Sequence, residues 1–329
     1  MSQAEVIEEF DCFGSRCAVL VSGRARDRSA RDAGQLARRT LLAWHGRFSR
    51  FIPGSELSLL NADPRTVVPV GALMARFAQT VRTAGSLSRG LVDATLLDEI
   101  ESAGYVRDLH AALPLAIALE LAPARRPARA RAFPGWQQLE VDLAACTVTR
   151  APGVRLDSGG LVKGLFADIL AARLVSHPRY AINCAGDLAL GGSEAALRPV
   201  KVESPFDGRT LHTFNLREGG VATSGIGRRS WLDRSGRPAH HLLDPASGRP
   251  AFTGIVQVTA IAPGALSAEI HAKAALLSGP SSAQGWLPHG GVIVYDDGSH
   301  RVIEPPPTVT LSELSAFAQR PRTPVAQAA

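Results

Sequence analysis

Short apolar stretches of β-strand type, separated by glycine turns, dominate the second half of the chain and restrict the folds it can adopt. Y-A-I-N-C-A-G-D-L-A-L-G-G at 180–192, V-A-T-S-G at 221–225 and I-V-Q-V-T-A-I-A at 255–262 are typical of strands. Apolar residues at helical spacing predict helices at 29–48 and 72–89. Many short strands with a few helices between them predict an α+β fold, with mixed or antiparallel sheets and flanking helices.

The length of the chain suits one large domain. Its 329 residues can bury a substantial core, and the sequence shows no internal repeat and no strong linker. We therefore expect a single domain over residues 1–303. Residues 304–329 are rich in proline and alanine, so we expect them to form a partly disordered C-terminal tail.

Three segments of the first half carry weaker patterns. Residues 109–121 are apolar and predict a helix, whereas residues 123–135, with their prolines and arginines, predict a loop. V-R-L-D at 154–157 predicts a short strand before a glycine turn.

The chain is basic, with a formal net charge of +6. Its densest arginine group, A-R-R-P-A-R-A-R at 124–131, contains no aromatic side chain of the kind that stacks on nucleic-acid bases. A solvated loop is therefore favoured there, and we expect no nucleic-acid partner. A modest positive charge also suits an anionic small ligand.

The compartment is indicated by what the sequence lacks. No run of 18 apolar residues predicts a membrane span, and the acidic N-terminus lacks the apolar region of a secretory signal. The four cysteines form neither a C-x-x-C pair nor a zinc spacing, which favours a reducing environment. We therefore expect a cytoplasmic protein that does not insert into a membrane.

A glycine turn at L-D-S-G-G-L-V-K, residues 156–163, precedes a predicted helix. Gly159 and Gly160 leave backbone N–H groups for an anion at the helix N-terminus, and Lys163 would lie in the first turn. The segment is neither a Walker A loop nor G-x-G-x-x-G. An equally simple interpretation is a helix start capped by Asp157, and the residues alone leave both open.

Polar residues at predicted strand ends form a further group, made up of Thr223, Ser224, His241 and Asp244. D-P-A-S-G at 244–248 is a good turn by itself. The preceding histidine, however, supplies a group that titrates near neutrality and suits a general base. Glu56 and Asp93 can be explained simply as local caps of helices.

Lysine is rare in this chain, which makes A-E-I-H-A-K-A at 268–274 notable. Only Lys163, Lys201 and Lys273 occur among 36 basic residues. A helix would place Glu269 and Lys273 one turn apart on the same face. This spacing is explained either by an ion pair or by the remains of a metal site.

Several motifs in order along residues 10–300 resemble those of the ApbE family, the FAD:protein FMN transferases. F-G-S at 13–15 is similar to the family's M-G-T, and S-R-F-I-P-G-S-E-L-S-L-L-N at 49–61 is similar to S-x-Y-x-P-x-S-E-L-S-x-L-N. G-L-V-D-A-T at 90–95 resembles G-x-F-D-P-T. D-S-G-G-L-V-K-G-L-F-A-D at 157–168 resembles D-L-G-G-I-A-K-G-Y-A-x-D.

Three later segments extend this resemblance. I-N-C-A-G-D at 182–187 resembles I-N-x-G-G-D, and V-A-T-S-G at 221–225 contains the family's A-T-S-G. H-H-L-L-D-P-A-S-G-R-P at 240–250 resembles H-I-I-D-P-x-T-G-x-P. Seven motifs in the same order make a chance match improbable.

The resemblance implies a flavin transferase that cleaves FAD, transfers FMN to a threonine of a target flavoprotein and releases AMP, normally with Mg²⁺. It implies a catalytic role for His241, as the base, and for Asp244. The family's metal ligands match the Gly160 region and Glu269. The implied FAD-binding positions are Phe13, Phe51, Glu56, Asp93, Asp157, Gly159, Gly160, Lys163, Asp187, Thr223, Ser224 and Leu243.

The main departure from the family lies at the metal position. There the family has A-D-A-L-A-T-A, whereas this chain has Glu269 for the aspartate and Lys273 for the threonine ligand. Three interpretations follow: the ammonium group replaces the metal, Mg²⁺ binds weakly through Glu269, or the site has decayed. Two other functions therefore stay open beside transfer, an FAD-binding module without transferase activity and an FAD pyrophosphatase that forms FMN and AMP.

Overall fold

The computed structural model describes residues 4–25, 28–107 and 112–306. Its strands, in chain order, are β1 Glu5–Cys12, β2 Ser15–Ser22, β3 Arg24–Ala25, β4 Arg28–Ser29, β5 Val67–Pro69, β6 Glu140–Asp142, β7 Thr147–Thr149, β8 Arg179–Cys184, β9 Asp187–Gly191, β10 Arg198–Glu203, β11 Thr210–Leu216, β12 Gly219–Gly225, β13 Ser230–Leu232, β14 Pro238–His240, β15 Leu243–Asp244, β16 Arg249–Pro250, β17 Ile255–Ala262, β18 Gly291–Tyr295 and β19 His300–Ile303. Its α-helices are α1 Ala30–Phe48, α2 Glu56–Ala62, α3 Ala72–Leu87, α4 Leu97–Ser102, α5 Leu115–Glu120, α6 Val162–Leu174 and α7 Ala265–Ser278.

A large antiparallel sheet organises the molecule. Its eight strands follow the order β1-β2-β8-β9-β12-β17-β18-β19, and every neighbouring pair is antiparallel. Short hairpins and one three-stranded sheet, β5-β7-β6, surround it. The predicted α+β class with antiparallel sheets and flanking helices is therefore confirmed.

The helices α6 and α7 pack against each other and against the sheet, and they position the site described below. α6 contacts β8 and β9, while α7 contacts β12 and β17. The two helices approach closely at Gly164, where a Cβ atom would lie 2.7 Å from the Cα atom of Leu266. Asp168 of α6 accepts hydrogen bonds from the first two amides of α7, at 2.7 and 3.0 Å, which fixes where α7 begins.

Helix α7 is buried on nearly all sides. Its alanine- and leucine-rich sequence has no polar stripe, so the helix suits the interior rather than a surface. Glu269 has 0% and Lys273 has 7% of its surface exposed. The pair at i, i+4 is therefore an interior pair, which periodicity alone did not indicate.

Most of the predicted elements are present. The helices predicted at 29–48 and 72–89 correspond to α1 and α3. The segment 180–192 forms two strands rather than one, because Ala185 and Gly186 both have positive φ, 56° and 100°, and reverse the chain in a two-residue turn.

Two local predictions are wrong. Residues 154–157 form no strand, because the Asn61 side chain donates to the carbonyl of Leu156 and accepts from its amide, at 2.8 Å each. In the segment 109–121, only Leu115–Glu120 is helical, and residues 108–111 lie outside the described residues. Pro114 precedes this helix and disfavours helical backbone in the residue before it.

The proline- and arginine-rich segment 123–135 contains no strand, and only its last residue begins a short 3₁₀ turn, as predicted. It packs on the body of the protein: Arg125 Nε lies 2.7 Å from Asp296 Oδ2, and the amide of Arg129 donates to Asp244 Oδ1 at 2.8 Å.

Strand β19 ends at Ile303, and the predicted tail from residue 307 onward lies outside the described residues. None of the described helices is both long and apolar enough to cross a membrane.

Candidate active site

A cavity of about 350 Å³ lies where the start of α6 faces the segment that joins β14 to β15. Its walls combine apolar, aromatic and charged side chains, as ligand pockets do. Eight of the residues proposed from the sequence line it, namely Phe13, Phe51, Asp93, Asp157, Gly159, Gly160, Lys163 and Leu243, together with the proposed base His241.

The floor of the cavity is the glycine turn before α6. Ser158 fixes this turn, because its hydroxyl donates to the carbonyl of Phe48 at 2.7 Å. Among the described residues, no carbonyl or side chain accepts a hydrogen bond from the amides of Gly159 and Gly160. These amides are therefore available to an anion at the start of the helix.

Four charged side chains meet beside this turn, and we call them the buried charge cluster: Lys163, Asp187, Glu269 and Lys273. Lys163 Nζ lies 2.5 Å from Asp187 Oδ2 and 3.8 Å from Glu269 Oε1. Lys273 Nζ donates to the same Glu269 oxygen at 2.9 Å. The other oxygen, Glu269 Oε2, accepts the amide of Gly164 at 3.0 Å.

The cluster comes from three elements that are distant in the sequence. Lys163 lies on α6, Asp187 begins β9, and Glu269 and Lys273 lie on α7. Both lysines line the cavity, whereas the two carboxylates lie behind them, each with about 1% of its side chain exposed. The cluster thus presents ammonium groups to the cavity and compensates them from the interior.

Burial and the neighbouring charges shift the pKa values of the cluster residues in opposite directions. Burial raises the pKa of Asp187 to about 6, although Lys163 counteracts it. Burial also favours the neutral form of Glu269, but Lys273 and Lys163 together outweigh it and hold the pKa of Glu269 below its usual value. Burial alone would lower the pKa of Lys163, but Asp187 and Glu269 raise it above its usual value. The cluster therefore holds Lys163 charged at neutral pH.

His241 is half-buried on the cavity wall, and its Nδ1 lies 3.4 Å from the carbonyl of Arg229. Burial, followed by the positive charge of Arg229, lowers the pKa of His241 well below its usual value. The imidazole is therefore neutral at pH 7 and able to accept a proton.

His240 is excluded from the cavity, although it is the neighbour of His241. It has 1% of its surface exposed, packs edge-on against Phe252 and accepts the amide of Leu242 at 3.3 Å. Because His240 ends strand β14, its side chain points into the core while that of the next residue meets the cavity.

Arg229 and Phe13 form one part of the cavity wall. Arg229 donates to the carbonyl of Phe13 at 2.8 Å. Phe13 adopts a positive φ of 57°, which is uncommon for a bulky residue, and its ring contacts His45 edge-on at 5.0 Å. The arginine thus holds the tight turn that carries Phe13 to the cavity.

A second part of the wall is built around Arg50. Its guanidinium lies 4.3 Å from the ring centre of Phe51 and 4.6 Å from that of Tyr105, and its Nε lies 3.3 Å from Asp157 Oδ1. Tyr105 in turn stacks on Trp231 at 5.2 Å. This arrangement fixes both Phe51 and Asp157 at the cavity.

Of the two carboxylate oxygens of Asp93, one accepts hydrogen bonds and the other has no partner among the described residues. Its Oδ1 accepts from the amide and the hydroxyl of Thr95, at 2.8 and 2.5 Å. Its Oδ2 is buried and has no hydrogen-bond partner among the described residues. Burial raises the pKa of Asp93, and the unpaired oxygen on a cavity residue is suited to contact a polar ligand group.

Six of the proposed residues do not line the cavity: Asp187 and Glu269 lie behind the lysines of the buried charge cluster, and four others make contacts elsewhere. Thr223 is exposed on β12 and shares a hydrogen bond with Thr259 at 2.8 Å, and Ser224 is buried beside it. Glu56 binds Arg47 and the amide of Gly71. Asp244 accepts from Arg129 and from the hydroxyl of Ser247, at 2.8 and 2.7 Å, and so closes the turn that follows His241.

The sequence did not single out Arg50 or Tyr105 as cavity residues. Arg50 lies within a matched motif, but at a position where the family pattern is variable. Tyr105 lies in no motif, and a local pattern carries no signal for a contact 55 residues away in sequence.

The position expected to bind Mg²⁺ does not fit a divalent cation. Mg²⁺ needs near-octahedral oxygen ligands at about 2.1 Å. Both oxygens of Glu269 already accept hydrogen bonds, and the ammonium group of Lys273 stands where the resemblance to the family implies an oxygen ligand. Among the described residues, no group of three or more histidine, cysteine or acidic side chains is arranged to hold a metal ion.

Comparison with known protein families identifies the family of the chain. The family model described as the ApbE family matches residues 13–295 of the chain. This chain belongs to the ApbE family. The match spans the glycine turn, all four residues of the buried charge cluster and His241, so the altered metal position lies within the family domain itself.

Curated relatives within the ApbE family carry one name. The chain is 29% identical over 237 residues to the FAD:protein FMN transferase of Salmonella typhimurium, covering 69% of this chain and 65% of that protein. It is 28% identical over 307 residues to the FAD:protein FMN transferase of Rhodobacter capsulatus, covering 90% of this chain and 56% of that protein. The chain thus spans less than two thirds of the length of each of these relatives.

Solved ApbE structures share the fold. The ApbE protein of Thermotoga maritima superposes with a TM-score of 0.74 at 20% identity, covering 92% of this chain and 97% of that one. The flavinyl transferase ApbE of Pseudomonas stutzeri gives a TM-score of 0.71 at 19% identity, covering 92% and 95%. The high TM-scores show that the fold is shared, and at such low identity the matches show the fold alone.

Proposed function

We propose that this chain is an FAD:protein FMN transferase, which moves FMN from FAD to a threonine hydroxyl of a target flavoprotein and releases AMP. The main supporting observation is one cavity that combines the two lysines of the buried charge cluster, two unpaired backbone amides and a neutral histidine. This combination can bind a pyrophosphate and accept a proton at the same place.

The lysines and the glycine turn are suited to the two phosphates of FAD. Lys163 and Lys273 line the cavity on the same side as the amides of Gly159 and Gly160. Ammonium groups and amide N–H groups that face one space favour an anion, and their attraction is strongest for the charge that develops during phosphoryl transfer. The rings of Phe13 and Phe51 offer apolar faces for the aromatic parts of FAD.

The transfer step involves one bond formed and one bond broken. The threonine oxygen of the target protein attacks the phosphorus atom of the FMN half, and the P–O bond to the AMP half breaks. AMP leaves with the bridging oxygen and its electron pair. The hydroxyl proton passes to His241, which is neutral in the free protein, and then to solvent.

Asp244 contributes by positioning His241. Its carboxylate binds the amide of Arg129 and the hydroxyl of Ser247, so it holds the turn between β15 and β16 in place. Since Asp244 lies three residues after His241, a fixed turn fixes the imidazole as well. We therefore assign it a structural role in the reaction, without direct contact to the substrate.

The test combines the full chain, FAD and a flavoprotein domain that carries an acceptor threonine. A transferase forms AMP and an acceptor whose flavin fluorescence persists in a denaturing gel. The same acceptor with its threonine replaced by alanine is the control. AMP and free FMN without a labelled acceptor would instead establish a pyrophosphatase, and bound FAD without AMP would establish a binding module.

A further inference from the structure

The lysine content of the cluster is the first observation that calls for an explanation. The chain has three lysines among its 36 basic residues, and two of them, Lys163 and Lys273, lie in this buried cluster. The third, Lys201, is exposed on β10. Lysine is a compact point charge that approaches a phosphate closely, whereas arginine is larger and planar.

The second observation is the position of Lys273. Its side chain leaves α7, lines the cavity and passes the glycine turn, because its Cε atom would lie 3.6 Å from a Cβ atom added to Gly160. The ammonium group is held there by Glu269, at 2.9 Å. A buried carboxylate that is itself fixed by the amide of Gly164 makes this position rigid.

The third observation is a further cation on the same cavity. Arg229 lines the wall near both His241 and Lys163, and its positive charge disfavours the protonated form of each. Lys163 and Lys273 are balanced by Asp187 and Glu269. No carboxylate is paired with the Arg229 guanidinium among the described residues, so its charge is left for an anion in the cavity.

We propose that Lys273, together with Arg229, supplies the positive charge that a divalent cation would bring to the phosphates, so that this chain binds FAD without a metal ion. The inference rests on the proposed function, because that function names FAD as the dinucleotide. Its physical basis is the misfit described above: Glu269 is already occupied by an ammonium group, and a dication beside Lys273 would be repelled.

A binding experiment on the full chain tests this without depending on turnover. FAD binding is followed by flavin fluorescence or calorimetry, in EDTA and across a Mg²⁺ series. We expect the dissociation constant to change by less than about twofold, since a fixed ammonium group does not depend on added metal. Binding that appears only when Mg²⁺ is added overturns the inference.

Two variants identify the group that is responsible. Lys273→Met combined with Glu269→Gln removes both charges of the pair, so that no unpaired charge is buried. We expect FAD to bind about 10-fold more weakly or worse in EDTA, as for the loss of one charge-assisted contact. Lys201→Met is the matched control and leaves FAD affinity unchanged. Equal affinity of the double variant and the wild type contradicts the inference.

A second double variant tests whether Mg²⁺-dependent FAD binding can be introduced. Lys273→Thr with Glu269→Asp replaces the ammonium group by a hydroxyl oxygen and shortens the carboxylate. We expect its FAD binding to rise with Mg²⁺, unlike that of the wild type, and an unchanged metal response counts against the inference. Absence of FAD binding by the wild type under every condition contradicts the proposed function itself, whereas Mg²⁺-dependent binding contradicts only the metal-free inference.

Discussion

Lys163 and Asp187 form a buried ion pair, with Nζ 2.5 Å from Oδ2, between the first turn of α6 and the start of β9. Asp187 has 1% of its surface exposed, so water cannot compensate its charge if Lys163 is removed. The pair orients one of the two ammonium groups of the cavity and joins the helix layer to the sheet. It therefore stabilises the fold and fixes a lysine of the cavity wall.

Replacing Asp187 by asparagine leaves Lys163 with only the more distant oxygen of Glu269. We expect the free energy of unfolding to fall by about 3 kcal/mol, because breaking a buried pair strands a charge. FAD affinity should fall as well, since Lys163 loses its orientation. Urea denaturation and FAD titration measure the two effects.

The control is Glu9→Gln, in an exposed pair with Arg16, which should cost less than about 1 kcal/mol. Equal losses of unfolding free energy in both variants would contradict this account.

Gly164→Ala tests the close approach of α6 and α7. An added Cβ would meet the backbone of Leu266 at 2.7 Å, so α7 must move away and carry Glu269 from the amide of Gly164. We expect a loss of about 1–3 kcal/mol in unfolding free energy. Gly46→Ala, in α1 with no atom within 4 Å, should instead gain up to about 1 kcal/mol. The melting temperatures of both variants measure these effects, and equal shifts in melting temperature would contradict the close packing of α6 on α7.

His241→Asn tests the proposed base. We expect the turnover number for flavin transfer to fall by about 100-fold or more, while the dissociation constant of FAD changes little. His300→Asn, on the exposed strand β19, serves as the control and should transfer flavin at the wild-type rate. A variant that keeps its turnover number but loses FAD affinity would show that His241 binds the substrate and does not act as the base.

The proposed role of His241 as the base also predicts how the transfer rate depends on pH. Because the pKa of His241 is lowered well below 6.5, the free protein keeps its imidazole neutral as the pH falls through that value. We therefore expect the transfer rate to show no decrease assignable to His241 between about pH 8 and pH 6.5. A rate profile with a step near pH 6.5 that disappears in His241→Asn would contradict this.

His240 links stability to pH through burial. Its pKa is lowered from 6.5 to about 3 in the folded protein, so the unfolded chain binds more protons between these values. Stability is therefore highest above pH 6.5 and falls as the pH decreases toward 3, by up to roughly 4 kcal/mol from this residue. His240→Gln keeps an acceptor but does not titrate, so its unfolding free energy should fall less steeply with decreasing pH.

Denaturation curves at neutral pH and at about pH 5 measure the difference. His177 and His271, whose pKa values burial also lowers, remain in the variant, so some acid sensitivity persists. An identical pH slope in the wild type and in His240→Gln would show that His240 contributes nothing to acid unfolding.

The sequence was a good guide where a local pattern sets the structure. The glycine turn before α6 follows from Gly159 and Gly160, and the helices α1 and α3 follow from their apolar spacing. The motif order also indicated the ApbE family correctly. The strand predicted at 154–157 failed because the side chain of Asn61 satisfies that backbone from a distant segment.

The sequence was a poorer guide to which motif residues share the cavity. Thr223 and Asp93 both lie in matched motifs, but only Asp93 reaches the wall, because Thr223 lies on β12 and pairs with Thr259. Motifs record which residues recur and not which face of a strand meets a ligand. The contact of Arg50 with Tyr105 was likewise invisible, since loop geometry brings the two together.

The sequence by itself determined the identity and spacing of Glu269 and Lys273, and helical geometry alone then places them one turn apart. Only the tertiary structure decided that α7 is an interior helix and that Lys163 and Asp187 join the pair from α6 and β9. The difference is physical. A helix of 3.6 residues per turn fixes neighbours within a few residues, whereas burial depends on surfaces that other segments supply. Burial turns a weak surface ion pair into a fixed charge beside the proposed phosphate site.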